Sequence, residues 1–168
     1  METDKDAAFF RKIFLLQDLE DREIELVLAR TRPREVSAGS VIIREGEPGN
    51  SMYIMVEGEV EITKRLTLEL DEDTPKDRVM IRLNAEDGVY FGEMSLLEND
   101  PRSATVTALT DCRLLELHQK DCQELIQHDP AMGVKLLLRL AQLLSRHLRK
   151  TNQDVVKLTT ALAISLGG

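Results

Sequence analysis

The stretch from Val41 to Leu117 is a succession of short β-branched or alternating apolar runs, each stopped by a glycine, proline or acidic cluster. Val41, Ile42 and Ile43 precede the turn-forming segment Glu45-Gly-Glu-Pro-Gly-Asn50, and Ser51-Met-Tyr-Ile-Met-Val56 follows it. Glu57-Gly58 reads as a hairpin turn into a strand where Val60 and Ile62 alternate with glutamates. The alternation resumes at Leu66, Leu68 and Leu70, gives way to D-E-D-T-P-K-D, and returns at Val79, Ile81 and Leu83. Two further runs, Ala104–Ala108 and Cys112–Leu117, join through a turn at Thr110-Asp111. Short strands with frequent turn signals predict an antiparallel β-roll or jelly roll, here of about eight strands.

Helical patterns bracket this strand region, so the predicted class is α+β. Phe9, Phe10, Ile13 and Phe14 fall at helical spacing behind an Asp6 cap. A second helix is expected from about Asp21 to Arg30, with Ile24, Val27 and Leu28 on one face and Pro33 ending it. Asp129 and Pro130 form a favoured helix start. Beyond them Leu137, Ala141, Leu144, Leu148, Thr151, Val155, Leu158 and Leu162 recur in alternating steps of four and three, the spacing of a two-helix seam. This stripe either packs on the roll or meets a partner helix. Beyond Arg149 the apolar face narrows, which favours a homodimer through this helix. The expected organisation is a roll with N-terminal helices over residues 1–129 and a C-terminal helical segment of the same domain over 130–168.

The 168 residues carry a net charge of −8, which argues against general nucleic-acid binding. The charge is uneven: residues 131–168 hold six basic groups against Asp154 alone. A basic helix offers a nucleic-acid or membrane face, a solvated surface, or a positive element near a phosphate. A solvated surface is the commonest of these. The start, M-E-T-D-K-D, is acidic rather than signal-like, and no apolar run approaches the roughly 20 residues of a membrane span. The expected compartment is the cytoplasm. Cys112, His118, Cys122 and His128 alternate, but without the close cysteine pair of a structural zinc site, so no metal is expected and both thiols should be reduced.

The chemistry concentrates between Tyr90 and Ala108, in Y-F-G-E-M-S-L-L-E-N-D-P-R-S-A-T-V-T-A. It reads as a strand end, a glycine turn, one short helical turn, a loop and a new strand. Gly92 lets main chain approach a ligand closely. The helical turn that begins at Glu93 offers unpaired amides, which favour an anion. Arg102 adds a permanent charge with a donor fork that fits phosphate oxygens. Glu93 would repel a phosphate unless it faced a neighbouring hydroxyl, such as a sugar's. The combination calls for a nucleotide with a small, singly charged phosphate.

This segment resembles the phosphate-binding cassette of cyclic nucleotide-binding domains, shared by catabolite activator proteins, protein kinase regulatory subunits and gated channels. F-G-E, an apolar helical turn and P-R-S-A-T all match, with Arg102 nine positions after Glu93. The strand M-Y-I-M-V-E-G-E-V is similar to the glycine-framed hairpin that precedes the cassette, and the likeness covers about Phe9 to Leu158. The resemblance implies that Glu93 holds the ribose 2′-hydroxyl and Arg102 the cyclic phosphate. Phe91, Gly92, Met94, Ser95, Ser103 and Ala104 complete the implied ligand-binding set. R-H-L-R-K-T-N-Q-D-V resembles the central helix of catabolite activator proteins, with a four-residue insertion between this motif and Pro130. It implies that Thr151 bonds the base within its own subunit and Asn152 reaches across from the second. These two favour cyclic AMP, while the Ser103 hydroxyl keeps cyclic GMP open.

Family transcription factors continue into a helix-turn-helix. The sequence stops at Gly168, which suggests a sensor without an attached DNA reader and an unidentified downstream partner. Catalysis has little support. Ser95 lacks a glycine-framed nucleophile elbow. His118, His128 and His147 have no triad or metal spacing, and a phosphodiesterase would need metal ligands. The remaining alternative is a dimeric scaffold with a vestigial pocket, which the intact Glu93–Arg102 pair disfavours.

Overall fold

The computed structural model describes residues 7–65 and 77–166. The expected Asp6 cap, the alternation at Leu66, Leu68 and Leu70, and most of the acidic tract after it lie outside the described residues. The N-terminal apolar segment is shorter and more broken than one helix. It forms α1 (Ala7–Phe10), a 3₁₀ turn (Phe14–Leu16) and then α2 (Asp21–Leu28). A capping box fixes the start of α2: Glu20 and Glu23 each accept from the other's backbone N–H.

Strands β1 (Arg32–Val36), β2 (Val41–Ile43), β3 (Ser51–Glu57), β4 (Glu59–Arg65), β5 (Asp77–Asn84), β6 (Tyr90–Phe91), β7 (Thr105–Ala108) and β8 (Cys112–His118) build the roll. They form two antiparallel sheets, in orders β1-β8-β3-β6 and β2-β7-β4-β5. Pro33 does not end α2, which stops at Leu28; it sits inside β1 opposite Leu115. β1 is an edge strand, where a residue without an N–H is tolerated.

Glu57-Gly58 does not close a hairpin either. β3 and β4 lie in different sheets, so the turn is a corner between them. Gly58 makes that corner at φ +99°, and a Cβ there would come within 2.6 Å of the Cys112 Sγ. Thr110-Asp111 turns the second corner, from β7 to β8.

β3 is buried on both sides, which explains its nearly unbroken apolar run. Tyr53 and Met55 face the roll interior with Val60, Phe91, Val106 and Leu114. Met52, Ile54 and Val56 face a second core formed with the helices. That core includes α3 (Gln119–His128), a helix the strand-centred reading does not anticipate, and the start of α4 (Pro130–Leu166). The Asp129 carboxylate accepts from the Met132 amide at 3.0 Å, and Pro130 opens α4. Met132, Gly133, Leu136 and Leu140 bury its first turns.

Two of the basic residues of α4 are used for docking. Lys135 Nζ donates to Glu23 Oε2 at 2.7 Å, and Arg139 Nε donates to Asp18 Oδ2 at 2.6 Å. The guanidinium of Arg146 stacks 4.2 Å from the Phe14 ring centroid. The positive charge therefore clamps the acidic N-terminal segment onto the helix.

No helix among the described residues is long and apolar enough to cross a membrane. Cys112 lies in the roll core and Cys122 in the helical core. Both thiols are free, and burial pushes Cys122 up to about 11. Among the described residues no group of three or more potential metal ligands converges.

Candidate functional site

A cleft opens between the roll and α4. Phe91 ends β6 inside the roll, its ring tilted against Tyr53 at 5.6 Å. Gly92 then takes φ +79°, and the next residues wind into a 3₁₀ turn, Glu93–Leu96. A Cβ on Gly92 would lie 2.7 Å from the Arg102 Nη1 and 3.1 Å from the Ser51 carbonyl oxygen, so only glycine fits without displacement. This is the short helix expected after the glycine turn, in the tighter 3₁₀ form.

Arg102 is the best-held side chain in the cleft. Its Nη1 donates to Ser95 Oγ at 2.8 Å and more weakly to the Gly92 carbonyl at 3.3 Å. Nη2 reaches Ser51 Oγ at 3.4 Å. Its backbone is fixed as well: the Arg102 amide donates to the Glu47 carbonyl and the Gly46 amide to the Arg102 carbonyl, both at 2.9 Å. A bridge between Pro48 and Pro101 extends that pairing. The guanidinium lies against Gly49, where any Cβ would overlap it. Burial lowers the Arg102 pKa, opposed by the fields of Tyr53, Glu116 and Glu93, and the group stays charged.

Glu93 is the counterpoint. Among the described residues no protein group hydrogen-bonds its carboxylate, which borders both parts of the cleft. Beside it the Tyr90 hydroxyl is pushed up to about 12, first by burial, then by Glu93, with Arg146 opposing. A charged fork and a free carboxylate thus share one wall, which fits a phosphate and an adjacent hydroxyl on one ligand.

The cleft has two connected parts. The larger encloses about 390 Å³ between the apolar wall of Ile43, Ile62, Leu83 and Val89 and the α4 residues Leu143 and His147. The smaller, about 210 Å³, lies under the cassette loop and reaches Leu144. Gly92, Glu93, Arg102 and Ser103 border both. An apolar cavity with a few convergent polar groups is the usual form of a small-molecule site.

The structure brings Phe91, Gly92, Glu93, Met94, Ser95, Arg102, Ser103 and Ala104 onto these walls. Thr151 and Asn152 are not among them. They lie on an exposed stretch of α4 one turn beyond His147. The four-residue insertion before this motif accounts for the offset, since four residues are about one helical turn. His147 thereby occupies the wall that the resemblance reserves for Thr151. Sequence reasoning also missed Gly49 and Ser51, which meet Arg102 only through long-range folding, and Glu116, which reaches it through Ser51. The one local signal was the glycine-rich turn ahead of β3, read as a loop rather than as space for a side chain.

An antiparallel roll with a glycine turn, an arginine clasp and a free carboxylate beside an apolar cavity is an arrangement that suits a small sugar phosphate. The chain belongs to the cyclic nucleotide-binding domain family, whose pattern matches residues 33–129. It is 40% identical over 110 residues to a cyclic nucleotide-gated potassium channel of Mesorhizobium japonicum, covering 66% of this chain and 26% of the channel. Among solved structures it resembles the Thermus thermophilus catabolite activator protein, with TM-score 0.75, 29% identity, and coverage of 87% of this chain and 63% of that one. The regulatory domain of Toxoplasma gondii protein kinase A, co-crystallised with cAMP, superposes with TM-score 0.58 and 29% identity over 74% of this chain and 47% of that one. The chain thus spans about a quarter of the channel's length.

Proposed function

We propose that this protein is a regulatory module that binds cyclic AMP and transmits its presence through α4. The observation that carries this reading is the pairing of the held Arg102 fork with the uncommitted Glu93 carboxylate on one wall of the cleft. The cyclic phosphate takes the Arg102 end, and the ribose 2′-hydroxyl donates to Glu93. The purine enters the apolar part of the cleft against α4. Cyclic AMP is favoured by the cAMP-bound kinase relative, and by Thr151 and Asn152 one turn from the cleft, where a small movement of α4 delivers hydroxyl and amide groups to the base edge. A calorimetric titration tests the reading: cyclic AMP should bind more tightly than cyclic GMP. No binding of either nucleotide would overturn it, and preference for cyclic GMP would overturn the base assignment.

The second half of α4 supports a homodimer as part of this function. Leu148, Val155, Leu158 and Leu162, all on the heptad stripe, are each more than half exposed in the single chain. A second copy laid along this stripe would bury them, with Asn152 facing the neighbouring subunit. Leu148→Glu places an unpaired charge in that seam and should give a monomer in sedimentation velocity. A wild-type monomer at tens of micromolar, on the order of ordinary assay concentrations for weak association, would contradict the dimer.

A further inference from the structure

Behind Arg102, on the side away from the cleft, the inner face of β3 and β8 carries a polar cluster in an otherwise apolar roll. In the register of these strands Tyr53 lies directly opposite Glu116, and Ser51 opposite His118. The Glu116 Oε1 accepts from Ser51 Oγ and from the Tyr53 hydroxyl, each at 2.9 Å. Arg34, one strand further out on β1, donates to the Tyr53 hydroxyl at 3.0 Å and stands 3.9 Å from the carboxylate. The Glu116 side chain is only 17% exposed, so this carboxylate is held inside the sheet rather than left at its rim.

Met55, Leu114 and Phe91 fill the core on the same face, and the Tyr53 ring packs with them. A carboxylate withdrawn from water is unfavourable unless its lone pairs are satisfied, and here hydroxyl donors satisfy it. Its effect runs outward. Ser51 is 3% exposed and lies between two charges, donating its proton to Glu116 and presenting its remaining lone pairs to the Arg102 Nη2. A serine hydroxyl has one proton. Glu116 fixes where that proton points, and the oxygen is thereby oriented as an acceptor for the guanidinium.

We propose that Glu116 is a positioning residue for the phosphate site, acting through the Ser51 hydroxyl to set the Arg102 fork before the ligand arrives. The inference rests on the cyclic nucleotide reading above and adds to it a carboxylate that does not line the cleft. Two restraints then give the Arg102 fork its orientation: Ser95 holds one nitrogen and the Ser51–Glu116 pair the other. With glutamine at 116, one carboxylate oxygen becomes an NH2 donor and the other a neutral, weaker acceptor, so the Ser51 proton is held less firmly and the guanidinium loses part of its preset orientation.

Calorimetry with cyclic AMP tests this on the full chain carrying Glu116→Gln, Ser51→Ala or both, and on Glu116→Gln in an Arg102→Lys background. Thermal melting identifies the folded proteins. Each single change should weaken binding about tenfold, the factor that one hydrogen bond to a charged group is commonly worth. The Ser51→Ala/Glu116→Gln protein should lose no more than either alone, since both break one connection. With lysine at position 102, Glu116→Gln should add no further loss, because the fork it orients is gone. Unchanged affinity in Glu116→Gln, additive losses in the double substitution, or an equal loss in the Arg102→Lys background would each overturn the proposal. If Glu116→Gln does not fold, Ser51→Ala with and without Arg102→Lys decides on the same criterion. Wild-type protein that binds no cyclic AMP would instead overturn the nucleotide reading itself.

Discussion

The two ends of the cleft are built differently. At the Arg102 end every contact is made within the roll, and main chain, Ser95, Ser51 and Gly49 fix the guanidinium from four directions. At the α4 end the wall is a helix whose first turns are buried and whose last turns are exposed throughout. Leu143, Leu144 and His147 border the cavity, while Thr151 and Asn152 wait one turn beyond. A preset end gives affinity because little ordering remains to be done on binding. An end made by a helix with a free distal half gives a signal, because the ligand can contact it differently in two positions. On the proposed reading, recognition of the sugar phosphate and transmission of its presence fall to separate elements joined by one ligand.

The comparison is broken most directly at the rigid end. Arg102→Lys keeps the charge but loses the fork, and cyclic AMP affinity should fall about a hundredfold, near the upper range for hydrogen bonds to charged groups. Calorimetry showing equal affinity would place the phosphate elsewhere. Glu93→Gln should lose about tenfold, the worth of one charge-assisted hydrogen bond. A 2′-deoxy ligand should then cost the wild type a similar factor and cost the variant little more. Additive losses would remove Glu93 from the ribose.

At the α4 end the expected effects on affinity are smaller. Thr151→Ala should change cyclic AMP affinity by only a few fold, since one neutral hydrogen bond is commonly worth about 1 kcal/mol, while reducing the preference over cyclic GMP. An unchanged preference would show that Thr151 does not read the base.

Acid sharpens the contrast within the roll. Burial raises the Glu116 pKa, but the hydroxyl donors Ser51 and Tyr53, with His118 and Arg34 nearby, outweigh it and hold the carboxyl below its usual value. A depressed folded-state pKa contributes stability that is present above the unfolded value, about 4.3 for glutamate, and is lost as pH falls through the folded one. Denaturant midpoints should therefore decline on acidification below that value, and Glu116→Gln should flatten part of the decline. Parallel curves for the two proteins would mean that Glu116 is not held in this way.

What could be read from sequence was local. Gly92, Glu93 and Arg102 lie within eleven positions of one another, so the turn, the anion site and the charge were all visible in one segment. The strand count and the α4 start were legible for the same reason: turn residues and the Asp129-Pro130 pair act on their neighbours. Failures arose where distance in the chain decided the outcome. Pro33 signals a helix end, yet its place on an edge strand depends on β8, some eighty residues later. Glu57-Gly58 has hairpin chemistry, but the pairing partners of β3 and β4 are β8 and β7, so the turn becomes a corner. Glu116 reads as the polar member of an alternating strand; only the fold brings it to Ser51, 65 positions away.

The central claim is that one ligand joins the rigid end to α4, and hydrogen exchange with and without cyclic AMP tests it most directly. Such coupling is commonly about 1–3 kcal/mol, enough to change exchange in both places. Protection should rise in residues 92–103, where the proposal seats the phosphate and ribose, and also around residues 148–158 of α4. Increased protection confined to 92–103, with the helix exchanging as it does without ligand, would contradict the account.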